Sequence, residues 1–143
     1  MTNPTIQGGR ASDPKSRERR EFVVEMMKHA WDGYAAHAWG QSEVRPISKT
    51  CNSGTVFGTS DCGATIVDSM DTLYIMGMEE EFSKGRDWIK TKLNLTMMEE
   101  DVSVFEINIR YVGGLLSLYS FTGDEMFKDK AVQIADKLLP AFL

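Results

Sequence analysis

Cysteine is scarce. Only two occur, Cys51 and Cys62, in a chain of 143 residues, too few for a disulfide-stapled scaffold. No uninterrupted apolar run approaches the roughly 18 residues that a membrane span needs. The opening stretch, MTNPTIQGGRASDP, lacks the charged-then-apolar plan of a signal peptide. An excess of positive charge is missing too. Lys and Arg number 16 against 21 Asp and Glu, a net charge of −5, so the cationic footprint of a nucleic-acid binder is absent. No segment alternates apolar and polar residues long enough to read as a strand. No repeat of roughly 34 residues recurs. There is no phosphate-binding glycine loop, zinc cluster or nucleophile elbow, and the loop carboxylates do not follow the spacing of a calcium-binding helix–loop–helix motif.

What is present is globular composition. Hydrophobic residues make up 42% and charged residues 26%, which argues against disorder, and the length suits one core. Residues 1–13 read as a flexible tail, with almost nothing apolar in the first twelve. Ser12 and Asp13 then precede Pro14, a capping residue followed by Pro at the first helical position. Behind them Phe22, Val23, Met26, Met27, Ala30, Trp31, Tyr34, Ala35 and Ala38 trace one face of a helix over about 14–39. Among the first thirty residues six are basic and four acidic. The run RERR, interrupted by Glu18 and closed by Glu21, reads as a solvated helix face.

Residues 40–63 hold Gly40, Pro46, Asn52, Gly54, Gly58, Ser60 and Gly63 and read as one long loop, of the length that is often functional. Val56 and Phe57 are its candidate anchors to a core. Beyond it, GATIVDSMDTLYIMGM and SVFEINIRYVGGLLSLYSF carry apolar residues on nearly every side. The segments EEEFSKGRDWIKTKL and EMFKDKAVQIADKLLPAFL are ordinary amphipathic helices. The fold class is therefore all-α, with buried helices alternating with outer amphipathic ones, the plan of a two-layered helical barrel or solenoid. The apolar ending KLLPAFL implies a last helix that docks tightly or a domain that continues.

Glu106 stands out chemically. It sits between Phe105 and Ile107 on a helix that reads as mostly buried, and apolar surroundings disfavour a charged carboxylate and raise its pKa. That is the tuning of a general acid near neutral pH. Arg110, four residues on, offers the plainer alternative of an i, i+4 helix pair. Gly113 and Gly114 follow. Each costs a helix interior about 1 kcal/mol relative to Ala, so the pair implies close packing or close approach. Asp68 and Asp71 share a face of the first buried helix, and a buried aspartate has to be paired, capped or functional. One of them is a candidate partner of Arg110. His29 and His37 have no second ligand at metal spacing. Cys51 and Cys62 are either two unrelated thiols or a candidate disulfide, whose loop of about a dozen residues would be worth roughly 3 kcal/mol. Asn94-Leu95-Thr96 is an N-glycosylation acceptor pattern. The nine methionines read as core.

Taken together, RREFVVEMMKHAWDGYAAHAWGQSEVRPIS, GATIVDSMDTLYIMGM, SVFEINIRYVGGLLSLYSFTGDEMF and KLLPAFL closely resemble class I α-1,2-mannosidases, glycoside hydrolase family 47, with the Golgi mannosidase I subgroup nearest. The resemblance runs from about Pro14 to Leu143. It implies that residues 14–143 are the N-terminal part of the catalytic domain, the first helical hairpins of an (α/α)7 barrel that is incomplete here. It further implies inverting removal of α-1,2-linked mannose from high-mannose N-glycans, in the lumen of the Golgi or endoplasmic reticulum, with bound Ca²⁺. Glu106 matches the family's first catalytic carboxylate, the acid for the leaving oxygen. Arg110 matches an arginine at the floor of the sugar site, and Asp68 an acidic residue of that region. The family's other catalytic carboxylates, the threonine that anchors Ca²⁺ and the usual disulfide lie in later helices. Its membrane anchor, the parent being a type II membrane protein, precedes this sequence. This segment on its own is therefore expected to be inactive and unstable, with inner helices facing water. Two alternatives differ in what they expect. A mannose-binding quality-control relative of the same fold would bind glycans with little or no turnover. A helical protein-interaction scaffold would leave Glu106 and Arg110 as a solvent-exposed pair.

Overall fold

The computed structural model describes residues 13–52, 56–58, 62–94 and 101–142. The expected flexible tail lies outside them except for Asp13, which belongs to the fold. Its Oδ1 accepts the Ser16 N–H at 2.9 Å, and with Pro14 next in line it caps helix α1 (Pro14–Ala38). The apolar face read from Phe22 onward is only partly covered. Phe22 and Met26 are exposed, while Trp31, Tyr34 and Ala38 are buried. The basic run lies on exposed helix surface, as do His29 and His37. Gly40, with φ of 85°, turns the chain out of α1. Its N–H donates to the Tyr34 hydroxyl at 3.2 Å, which itself donates to the Gln41 carbonyl at 2.7 Å.

The segment read as one long loop contains a hairpin. Strands β1 (Glu43–Arg45) and β2 (Thr50–Asn52) pair antiparallel, Glu43 opposite Asn52 and Arg45 opposite Thr50. Three-residue strands are too short to show a period of two, which is why no alternation marks them. Phe57 is buried, as expected of an anchor. Val56 is half exposed at 51%.

Helix α2 (Ala64–Ile75) buries Ile66, Val67, Met70 and Leu73. It is not covered all round, since Asp68 and Ile75 face solvent. Helix α3 (Glu79–Thr91) opens with Glu79, Glu80 and Glu81, carboxylates at the positive end of the helix dipole. The next helical run changes pitch. It begins as α4 (Val104–Glu106), widens into a π-helical stretch (Ile107–Val112) and continues as α5 (Gly113–Thr122). After Gly123, α6 (Glu125–Leu138) leads into a 3-10 turn (Leu139–Phe142). Leu139 and Phe142 remain exposed.

Helix α2 packs between α3 and α5, and α5 packs on α6. The two more apolar helices thus lie side by side, each with an amphipathic partner, in the alternation read from the sequence. Among the described residues the fold is all-α apart from the hairpin. Its core runs from Trp31 and Tyr34 through Ile66, Met70, Leu73 and Ile89 to Ile107, Tyr111, Leu115, Leu118 and Phe127. Among the described residues, no helix is long and apolar enough to cross a membrane.

Candidate active site

Three elements meet at Arg110. Ser103 caps α4, its Oγ accepting the Glu106 N–H at 3.3 Å, and Glu106 stands at the end of that turn. Arg110 follows in the π-helical stretch. Its Nε donates to Glu106 Oε2 at 2.7 Å, and one terminal nitrogen donates to Asp68 Oδ2 of α2 at 2.5 Å. The fork shape of a guanidinium suits this double duty. Hydrogen bonding to Glu106, then to Asp68, holds Arg110 still more firmly protonated than usual.

The expectation of apolar walls around Glu106 is corrected here. Phe105 turns out to solvent at 67% exposure, and only Ile107 is buried. The Glu106 carboxylate faces a guanidinium, and its side chain is 25% exposed against 40% for Arg110. The pair is neither sealed away nor on an open wall. It lines a hollow of about 200 Å³ together with Asp68, Ser42, Glu43, Phe57 and Thr65. Asp71 goes elsewhere. It accepts the Ser117 hydroxyl at 3.2 Å and so ties α2 to α5.

The sequence pattern that defines glycosyl hydrolase family 47 matches residues 26–143. This chain belongs to glycosyl hydrolase family 47. It is 56% identical, over 91% of its length, to the mannosyl-oligosaccharide alpha-1,2-mannosidase IA of Drosophila melanogaster. It is 55% identical, over 96%, to the human mannosyl-oligosaccharide 1,2-alpha-mannosidase IB, and 50% identical, over 92%, to the IA enzyme of Sus scrofa. The chain spans only 20% of the fly protein, 21% of the human one and 20% of the pig one.

Within this family 47 chain, the hairpin brings two residues to the hollow that the sequence reading did not single out. Ser42 and Glu43 sit where β1 begins. The Ser42 carbonyl is fixed by the Thr65 N–H at 3.1 Å and the Thr65 hydroxyl at 2.7 Å. Glu43 Oε2 accepts from Asn52 Nδ2 at 2.9 Å, and Asn52 Oδ1 accepts from Arg45 at 2.7 Å. Nothing in the local sequence of an apparent loop signals this convergence.

Tyr111, next to Arg110, is fully buried and donates to the Cys62 carbonyl at 3.0 Å. Burial pushes its hydroxyl pKa far up. Cys62 is buried and donates its thiol to the Phe57 carbonyl at 3.4 Å. Cys51 is exposed on β2, and no disulfide joins the two. Asn94 is exposed after α3, but Leu95 and Thr96, which complete the acceptor triplet, lie outside the described residues. Among the described residues, no group of three or more His, Cys, Asp or Glu side chains could hold a metal ion. Asp68 and Glu106 are both committed to Arg110. These residues do not fit Ca²⁺.

Proposed function

We propose that this chain forms part of an inverting mannosyl-oligosaccharide 1,2-α-mannosidase that trims α-1,2-linked mannose from high-mannose N-glycans. Its setting is the lumen of the secretory pathway, Golgi or endoplasmic reticulum, behind a membrane anchor. Ca²⁺ would be held by later parts of the family domain. The observation that carries the reading is one guanidinium shared by two carboxylates, Glu106 and Asp68, at an open hollow, in a chain whose relatives bear mannosidase names.

The cluster sets two carboxylates against one cation, which leaves one negative charge over. In the general-acid role the leaving oxygen takes its proton from Glu106. Arg110 holds Glu106 through Oε2 and fixes its orientation, so Oε1 delivers the proton to the glycosidic oxygen, directly or through one water. A second carboxylate, placed across the sugar by the rest of the family domain, activates the attacking water, as inversion requires. Arg110 and Asp68 orient the sugar hydroxyls.

The test uses the full-length Drosophila relative with this segment exchanged for its own. Mannose release from a high-mannose oligosaccharide is measured before and after Glu106→Gln. General acid catalysis contributes about 10²–10⁴-fold, and a loss of that order is expected, with the glycan still bound. Turnover within threefold of the unsubstituted chimera would remove the acid role.

A further inference from the structure

Among the described residues that line the hollow, Glu43 is the one carboxylate that Arg110 does not hold. Glu106 and Asp68 each give an oxygen to the guanidinium, at 2.7 Å and 2.5 Å. Glu43 stands at the first position of β1 and is exposed, so a molecule in the hollow can reach it. Among the described residues, no cationic side chain pairs with it.

What holds Glu43 is neutral. The register of the hairpin sets it opposite Asn52. Arg45 can only donate, and it donates to Asn52 Oδ1 at 2.7 Å, so the amide is turned with its N–H₂ toward Glu43. Nδ2 then donates to Glu43 Oε2 at 2.9 Å. Oε2 is fixed, and Oε1 is left to accept from elsewhere. The base of the hairpin is fixed as well. The Ser42 carbonyl takes the Thr65 N–H at 3.1 Å and the Thr65 hydroxyl at 2.7 Å. Thr65 lies three residues before Asp68 on α2, hence on the same side of that helix. One helix face therefore carries both Asp68 and the clamp on the segment that bears Glu43.

The chemistry of the lining narrows the ligand. An ionised carboxylate only accepts, so its partner must be a donor. Three carboxylates, Glu43, Asp68 and Glu106, face the one guanidinium of Arg110, and this balance repels anions. A neutral polyhydroxyl ring gives protons to carboxylate oxygens and accepts from a guanidinium. We propose that Glu43 is a substrate-contacting residue of this site, its Oε1 accepting a hydroxyl of the mannose unit that occupies the hollow. The proposal rests on the mannosidase reading above. It makes Glu43 a determinant of sugar affinity, carried to the site by the β-hairpin, with no part in the proton transfer.

The test is Glu43→Gln in the same full-length chimera, with α-1,2-mannobiose as the probe and thermal melting measured in parallel. Gln keeps an oxygen for Asn52 and loses the charge. Hydrogen bonds to charged groups are worth more than neutral ones, and KM is expected to rise by about threefold to tenfold, with kcat within twofold. Glu43→Ala is expected to raise KM at least as far. The melting temperature of the Gln variant is expected to hold, because the side chain is exposed and its tie to Asn52 survives. An unchanged KM would overturn the proposal. A rise in KM accompanied by a fall in melting temperature of the Gln variant would overturn it too, since the hairpin itself would then be what was lost. A chimera whose turnover ignores Glu106→Gln fails the mannosidase mechanism. A chimera that obeys Glu106→Gln but ignores Glu43→Gln fails this inference alone. A chimera with no turnover before any substitution removes both.

Discussion

At the scale of the residue, Arg110 is the pivot. Its two carboxylate partners come from different helices, so it needs the planar fork rather than a point charge. Arg110→Lys keeps the charge and loses the fork. In the full-length chimera, kcat is expected to fall at least tenfold while the melting temperature barely moves, because a pair 40% exposed on one side contributes only about 0–1 kcal/mol. Parallel kinetics and melting curves check both halves. Glu106 and Arg110 were legible as partners because i, i+4 spacing sets them on one helix face, and Asp68 was one of two aspartates marked as candidates for Arg110. The surroundings of Glu106 were not legible. The sequence places Phe105 beside it, but a neighbour in sequence points about 100° away around a helix, and here it points to water. Ser42 and Glu43 were invisible for another reason: their approach depends on a fold-back through β1, β2 and Thr65.

At the scale of the element, local signals worked where they were chemical and failed where they were long-range. The Asp13-Pro14 start is a cap, as read. Asp124 opens α6 in the same way, its Oδ1 accepting the Met126 N–H at 3.1 Å, while Oδ2 takes Arg86 of α3 at 2.6 Å. Asp124→Ala removes a cap and an inter-helix tie together. It is expected to lower stability by about 1–2 kcal/mol, read by denaturant unfolding. The glycine pair was read as a mark of close approach, and Gly114 does lie against the backbone of α2, where an added Cβ would meet the Val67 carbonyl at 3.5 Å. Gly63 is the more stringent case. It holds a left-handed φ of 61°, and a Cβ there would stand 2.2 Å from the Trp88 ring. The π-helical stretch escaped the sequence because its residues are ordinary helix formers. Its mark is a hydrogen bond, from the Gly113 N–H back five residues to the Asn108 carbonyl, and such widened turns often accompany functional sites.

At the scale of the molecule, the alternation of apolar and amphipathic helices was enough to give an all-α fold, while the packing of α2 beside α5 is seen only in the structure. That pairing brings Asp68 to Arg110. The chain spans about a fifth of its curated relatives, and the hollow at Arg110 is open. On the proposed mechanism the segment supplies the proton and the arginine, and the rest of the family domain supplies the base. The central claim is that the side chain of Glu106 gives up a proton as the glycosidic bond breaks. A leaving group that needs no proton isolates that step. The deciding measurement compares hydrolysis of α-mannosyl fluoride and of α-1,2-mannobiose by the Glu106→Gln chimera. The account expects fluoride hydrolysis within about tenfold of the unsubstituted chimera and mannobiose cleavage lower by about 10²–10⁴-fold. An equal fall on both substrates, or no fall on either, would contradict it.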